Sequence, residues 1–133
     1  MFKADELREL ATLQTNTPVL SVYLNVDPRE HTTDEYKLAL RQMLKNVQSS
    51  AMPEDLEAVE RFVQHEYDWS GRGIVMFSCQ REDFWRAYSL AVPVTSHVMV
   101  ARKPYIWPLA ALVDAYGSYA VAQVDRQGVK LSL

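Results

Sequence analysis

Residues 74–79 (IVMFSC) are almost continuously apolar, and this short segment constrains the fold more than any other feature of the chain. A strand with one solvated face alternates between apolar and polar residues, whereas an unbroken apolar run is typical of a strand buried on both faces. Residues 19–26 and 84–94 do alternate, which predicts two further strands, and residues 96–101 predict another. A sheet with such a strand needs helices packed against it.

Helical patterns precede and follow these strands. Apolar residues recur at helical spacing in four segments, residues 3–13, 33–47, 53–67 and 104–116. Thr32 and Glu35 form a capping-box pattern at the start of the second segment, and Pro53 suits the first turn of the third. The sequence therefore predicts an α/β fold, a mixed sheet of about four strands packed with helices.

Composition excludes several classes of protein. Of the 133 residues, 48% are hydrophobic and 23% are charged, so the chain is neither disordered nor collagen-like. The single cysteine, Cys79, excludes an internal disulfide and a cysteine metal cluster. A net charge of −3 excludes a polycation that coats nucleic acid. There is no signal-peptide pattern and no apolar run of membrane-spanning length, so we expect a cytoplasmic protein without a membrane partner.

Catalytic and metal-binding patterns are missing. His31, His65 and His97 have no ligand partner at suitable spacing, and no activating group is adjacent in sequence to Cys79. The 71–73 segment (GRG) lacks the strand, helix and Lys-Ser/Thr context of a phosphate loop and is predicted to be a turn. We expect no catalytic residue, no metal site and no cofactor in this chain.

Two basic clusters are candidates for RNA contact. Lys37, Arg41 and Lys45 are spaced by one helical turn, which is typical of a solvated helix flank but also suits a row of cations along an RNA backbone.

Arg102 and Lys103 are close in sequence to Tyr105 and Trp107, and such a mixture of cations and aromatic rings can neutralise and stack on nucleic acid. The alternative is that Tyr105 and Trp107 pack against the following helix. Residues 69–133 carry a net charge of +3, against −6 for residues 1–68, which favours an electropositive face in the second half.

The end of the sequence resembles a hairpin whose arms are residues 119–124 and 129–133. A domain rarely ends within an apolar strand, so we expect a domain boundary near Gly117. Residues 1–116 would form one domain, and residues 117–133 would be the truncated beginning of a second, β-hairpin-led domain. Alternatively, residues 129–133 pair with another molecule, which would make the protein a homodimer.

The segments 73–79 (GIVMFSC) and 105–133, in this order of helices and strands, resemble the archaeo-eukaryotic peptide chain release factor family, and its bacterial branch more closely. The likeness covers about residues 15–133. It implies an N-terminal domain that faces the ribosome and tRNA, followed by the start of the middle domain.

The family's Gly-Gly-Gln loop promotes water attack on the peptidyl-tRNA ester. That loop is missing here, since the glycines are Gly71, Gly73, Gly117 and Gly128. The resemblance places the Gly-Gly-Gln loop beyond Leu133. We therefore expect residues 1–133 to have no hydrolytic activity.

The stop-codon elements of the eukaryotic family members are not matched. Residues 48–53 read QSSAMP in place of the Asn-Ile-Lys-Ser tetrapeptide, and the Tyr-x-Cys-x-x-x-Phe element falls on Met99, Ala101 and Tyr105. The resemblance thus implies a recognition domain that acts in translation termination or ribosome rescue and contacts tRNA or rRNA by shape and phosphate. The alternative is a protein-interaction or dimerisation module without an RNA role.

Overall fold

The structure, a computed structural model, describes residues 2–67 and 70–124. Within them, four α-helices and five strands form a three-layer arrangement with the sheet in the middle. The helices are α1 (Ala4–Thr12), α2 (Thr33–Asn46), α3 (Pro53–Arg61) and α4 (Trp107–Tyr116). The strands are β1 (Val19–Asn25), β2 (Gly73–Cys79), β3 (Phe84–Leu90), β4 (His97–Ala101) and β5 (Val121–Gln123). The α/β class with helices packed on the sheet is confirmed.

The strand order is β4-β1-β2-β3-β5, and all four pairings are antiparallel. The sheet therefore has one strand more than predicted, and it is antiparallel where a mixed sheet was expected. The reason lies in the connections. Two successive helices lie between β1 and β2. The chain therefore reverses three times, before α2, between the helices and after α3, so that β2 runs antiparallel to β1. A single 3-10 turn (Gln80–Glu82) then joins β2 to β3.

The central strands are buried on both faces, as the apolar run predicted. All seven residues of β2 are buried, and six of the seven residues of β1 are too. On one face, α2 and α3 cover side chains such as Leu24 and Met76. On the other, α1 and α4 cover Tyr23 and Phe77. Two apolar cores thus share one sheet.

The helix boundaries follow the predicted local signals. The Thr32 hydroxyl accepts a hydrogen bond from the Glu35 amide (3.2 Å), and the Glu35 carboxylate accepts one from the Thr32 amide (2.8 Å), which confirms the capping box. Pro53 occupies the first turn of α3. The third predicted helix ends differently, because a π-helical turn (Phe62–Glu66) follows Arg61 and buries Phe62 beside Val63.

The described residues after α4, up to Val124, continue the sheet. Gly117 ends α4 with a φ of +86°, a conformation that favours glycine. Beyond it, β5 pairs with β3 through Val121 and Leu90, and Ala120 is buried in the core beneath α4. Residues 118–124 therefore share the sheet and the core of the preceding residues. The second predicted arm, 129–133, lies outside the described residues.

The loop between β1 and α2 is fixed by Asp27, whose side chain is 1% exposed. Its carboxylate accepts hydrogen bonds from the Arg29 amide and from Nε of Arg72, both at 3.0 Å. These two groups hold the pKa of the Asp27 carboxyl below its usual value. The charged form of Asp27 is therefore the form that stabilises the fold.

Replacing Phe77 by Ala should lower the free energy of unfolding by about 3–5 kcal/mol. The Phe77 ring is fully buried and makes edge contacts with Tyr23 and Tyr88. Urea denaturation measures the effect, with Tyr119→Ala as a control, because Tyr119 is 86% exposed and should cost less than about 0.5 kcal/mol. A loss below about 1 kcal/mol in Phe77→Ala would contradict the role assigned to this ring.

Replacing Asp27 by Asn should weaken the acid dependence of stability. A depressed pKa contributes stability above the usual aspartate value of about 3.9, and that stability disappears as the pH falls through the lower pKa of the folded state. Urea denaturation at stepwise lower pH should show a shallower loss in Asp27→Asn than in the wild type. Asp114→Asn removes an exposed carboxylate and should keep the wild-type slope; equal slopes in all three proteins would refute the assignment.

Candidate nucleic-acid interface

The predicted cations of α2 lie on the flank of the helix that faces α3. Arg41 and Lys45 line an open groove with Leu56 and Glu60 of α3, and both cations are exposed. Lys37 begins the same row but is half-buried and has an interaction partner of its own. Arg41 and Lys45 are therefore the two members of this row that can meet a ligand without disturbing internal contacts.

The other predicted cations lie where the chain leaves β4. The Arg102 carbonyl accepts hydrogen bonds from the amide and the hydroxyl of Thr15, at 3.3 and 3.1 Å, and Pro104 is buried. The side chains of Arg102 and Lys103 are nevertheless exposed. A rigid backbone thus presents two neighbouring cations to solvent.

Tyr105 is half-buried and packs against the sheet. Its amide donates a hydrogen bond to the Ser21 hydroxyl (3.0 Å), and its carbonyl accepts one from the Tyr23 hydroxyl (2.5 Å). The Tyr105 ring also lies 6.1 Å from the Tyr23 ring and 5.3 Å from the His97 ring. Tyr105 therefore packs on residues of β1 and β4, whereas Trp107 is 72% exposed.

The topology brings the exposed cations to one end of the sheet. We call it the Cys79 end, because β2 ends there. Since β2 and β4 are both antiparallel to β1, Ala101 also lies at this end, next to Val19. Asp55, at the start of α3, accepts a hydrogen bond from Ser78, which places the start of α3 at the Cys79 end. The end of α2 lies there too, because a short connection joins α2 to α3. We define the basic surface as the four exposed cations Arg41, Lys45, Arg102 and Lys103.

Two acidic side chains at the Cys79 end, Glu82 and Glu54, are engaged elsewhere, whereas Asp83 at the same end is exposed. Glu82 accepts hydrogen bonds from the amides of Thr17 (2.9 Å) and Asn16 (2.6 Å), which lower the pKa of its carboxyl. Glu54 forms an ion pair with Arg81 at 2.8 Å, and this contact lowers the pKa of Glu54. Neither carboxylate is therefore used to neutralise the basic surface.

Asp55 is a buried carboxylate at this end, and the sequence did not identify it. Its Oδ1 accepts hydrogen bonds from the Ser78 hydroxyl and the Gln80 amide, both at 2.8 Å. Burial raises the pKa of Asp55, although these hydrogen bonds act in the opposite direction. Its contacts attach the start of α3 to the end of β2, which is a structural role. An aspartate in the first turn of a helix gives no sequence signal for such a contact.

The basic surface differs in ion pairing from five arginines of the described chain, although Lys3 and Arg29 are likewise exposed and form no ion pair there. Five arginines form ion pairs on the described part of the chain: Arg8, Arg61, Arg72, Arg81 and Arg86. Within the same residues, no carboxylate forms an ion pair with any of the four cations of the basic surface. Their charges are thus uncompensated by direct contacts, which is the electrostatic condition for binding an anionic polymer.

The remaining groups that sequence reasoning considered are built into the fold. Cys79 is buried, with its thiol 3.1 Å from the Thr17 hydroxyl. In the 71–73 turn, the Gly71 amide bonds the Tyr67 hydroxyl (3.0 Å) and the Arg72 amide bonds the Leu90 carbonyl (2.8 Å). These amides are therefore not free to hold a phosphate. Over residues 2–67 and 70–124, no three His, Cys, Asp or Glu side chains converge as a metal site requires.

None of the helices in the described part of the chain combines the length and apolar character needed to cross a membrane.

No model of a known protein family matches the sequence, and no curated protein matches it either.

Proposed function

We propose that this chain is a recognition domain that faces the ribosome and tRNA, as in a release-factor-like protein that acts in translation termination or ribosome rescue in the cytoplasm. The basic surface carries the proposal, because its four cations are exposed and have no ion-pair partner among the described residues. We name the ribosome and tRNA as the RNA partners because segments 73–79 and 105–133 resemble that family.

The chemistry of the basic surface suits contact with phosphates better than reading of bases. Arginine and lysine side chains supply charge and hydrogen-bond donors to phosphate oxygens, and such contacts orient a protein on RNA without selecting a sequence. Tyr105, the aromatic residue proposed for stacking, has its ring packed on Tyr23 and His97. The expected mode is therefore recognition of folded RNA by shape and charge.

The anchored backbone at Arg102 supports a defined docking geometry. Two hydrogen bonds from Thr15 hold the Arg102 carbonyl, and the Ser21 hydroxyl holds the Tyr105 amide. The two cations between these anchors project from a segment that does not have to become ordered on binding. Binding then costs less conformational entropy than it would for a loose basic tail.

Reversing three charges of the basic surface should weaken RNA binding at least tenfold. The variant is Lys45→Glu combined with Arg102→Glu and Lys103→Glu. The measurements are co-sedimentation with ribosomes and fluorescence anisotropy with tRNA over a range of salt concentrations. Each lost phosphate contact should reduce the slope of log K against log salt by roughly 0.7–0.9, so the triple variant should lose about 2–3 in slope.

The matched control reverses the same number of charges elsewhere. Arg8, Arg29 and Arg61 are exposed, and their joint replacement by Glu should keep most of the affinity. Circular dichroism verifies that both triple variants are folded. An equal loss in the two variants would show that net charge alone governs binding and would contradict the proposal. A wild type that binds neither ribosomes nor tRNA at low salt would favour the protein-interaction alternative.

A further inference from the structure

Among residues 2–67 and 70–124, no strand pairs with the outer edge of β4. β4 is an edge strand, with β1 on its inner side, and its five residues (HVMVA) contain neither a charged residue nor a proline. Its register with β1 is continuous from His97 to Ala101, without a bulge. Natural edge strands are usually protected by a charge, a proline or a bulge. This edge lacks all three protections.

A neutral flank of α2 lies beside the β4 edge. Ala39 lines a cleft with Val94, Thr95 and Ser96, the residues that lead into β4. Gln42 and Asn46 follow Ala39 at helical spacing on this flank, and both are exposed. The cations Arg41 and Lys45 lie instead on the flank that faces α3.

The charged residue at the start of this row, Glu35, is engaged in the capping box of its own helix. The surface beside β4 is therefore poor in charge, as the centres of protein interfaces are.

We propose that β4 pairs antiparallel with β4 of a second copy of this chain, about a twofold axis at Met99. In that register Met99 lies opposite itself, Val98 lies opposite Val100, and His97 lies opposite Ala101. Val98 and Val100 pack on the same side of the sheet, against the core under α2. Apolar side chains then meet apolar side chains across the axis, and no like charges are opposed.

A second copy fits this edge better than an unrelated strand does, because the surface is complementary to itself. A twofold axis places both α2 helices on the same face of the joined sheet, running antiparallel, with their neutral flanks towards the axis. The result is a continuous sheet of ten strands. This surface differs from residues 129–133, and the inference does not depend on RNA binding.

The first test is a disulfide at the axis. In Met99→Cys, two copies in this register bring their Cα atoms to about 4.5–5.5 Å, which is within the range that a disulfide spans. In the control Ala101→Cys, the equivalent atoms are separated by about 13 Å along the strand. The native thiol of Cys79 is buried and does not compete. Under mild oxidation, Met99→Cys should form a covalent dimer at least tenfold faster than Ala101→Cys, and equal rates would overturn the proposal.

The second test is the mass in solution. Sedimentation equilibrium of the wild type should give twice the chain mass of 15.3 kDa. Met99→Lys places two like charges at the axis and should give the monomer, with an unchanged circular dichroism spectrum. The control Ala122→Lys adds the same charge at the opposite edge, on β5, and should remain a dimer. A wild type that is monomeric at every concentration, or a dimer that persists in Met99→Lys, would refute pairing through β4.

Discussion

The double burial of β2 is the constraint on which the rest of this structure depends. A strand without a solvated side needs a layer on each face, and the chain supplies α2 and α3 on one side and α1 and α4 on the other. Both cores gain apolar burial from the same seven residues. The loss of either layer would therefore expose part of a strand that has no polar face to offer.

Buried polar contacts determine how the ends of the elements meet this sheet. Asp27 attaches the loop after β1 to Arg72, just before β2, and Asp55 attaches the start of α3 to Ser78, near the end of β2. Both ends of β2 are thus tied to neighbouring elements by a buried carboxylate. At the Cys79 end, Asp55, Glu54 and Glu82 each have an internal partner, so these three carboxylates do not pair with the exposed cations there.

The parts of the fold that depend on neighbouring residues were predictable from the sequence. The capping box at Thr32, the proline at the start of α3 and the apolar run of β2 each combine residues that are close along the chain. The position of β5 was not predictable, because it depends on the open edge of β3, some 30 residues earlier. The same limit applies to the candidate site. Spacing along the sequence identified the cations, but the topology was needed to show that Lys45 and Arg102 lie at the same end of the sheet. It was also needed to show that Tyr105 packs against the core.

The two edges of the sheet differ in how firmly they are closed. Within the described residues, β5 forms three residue pairs with β3, fewer than any other strand pairing there. We therefore expect β5 to fray first and its amide protons to exchange with solvent first. Fraying would uncover residues 88–90 of β3, and Arg86, which pairs with Glu9 of α1, lies close to them on the same strand. A charge at this position acts as a gatekeeper against the growth of aggregates from the frayed edge. The weakest attachment in the sheet thus covers the strand that is best protected when the attachment opens.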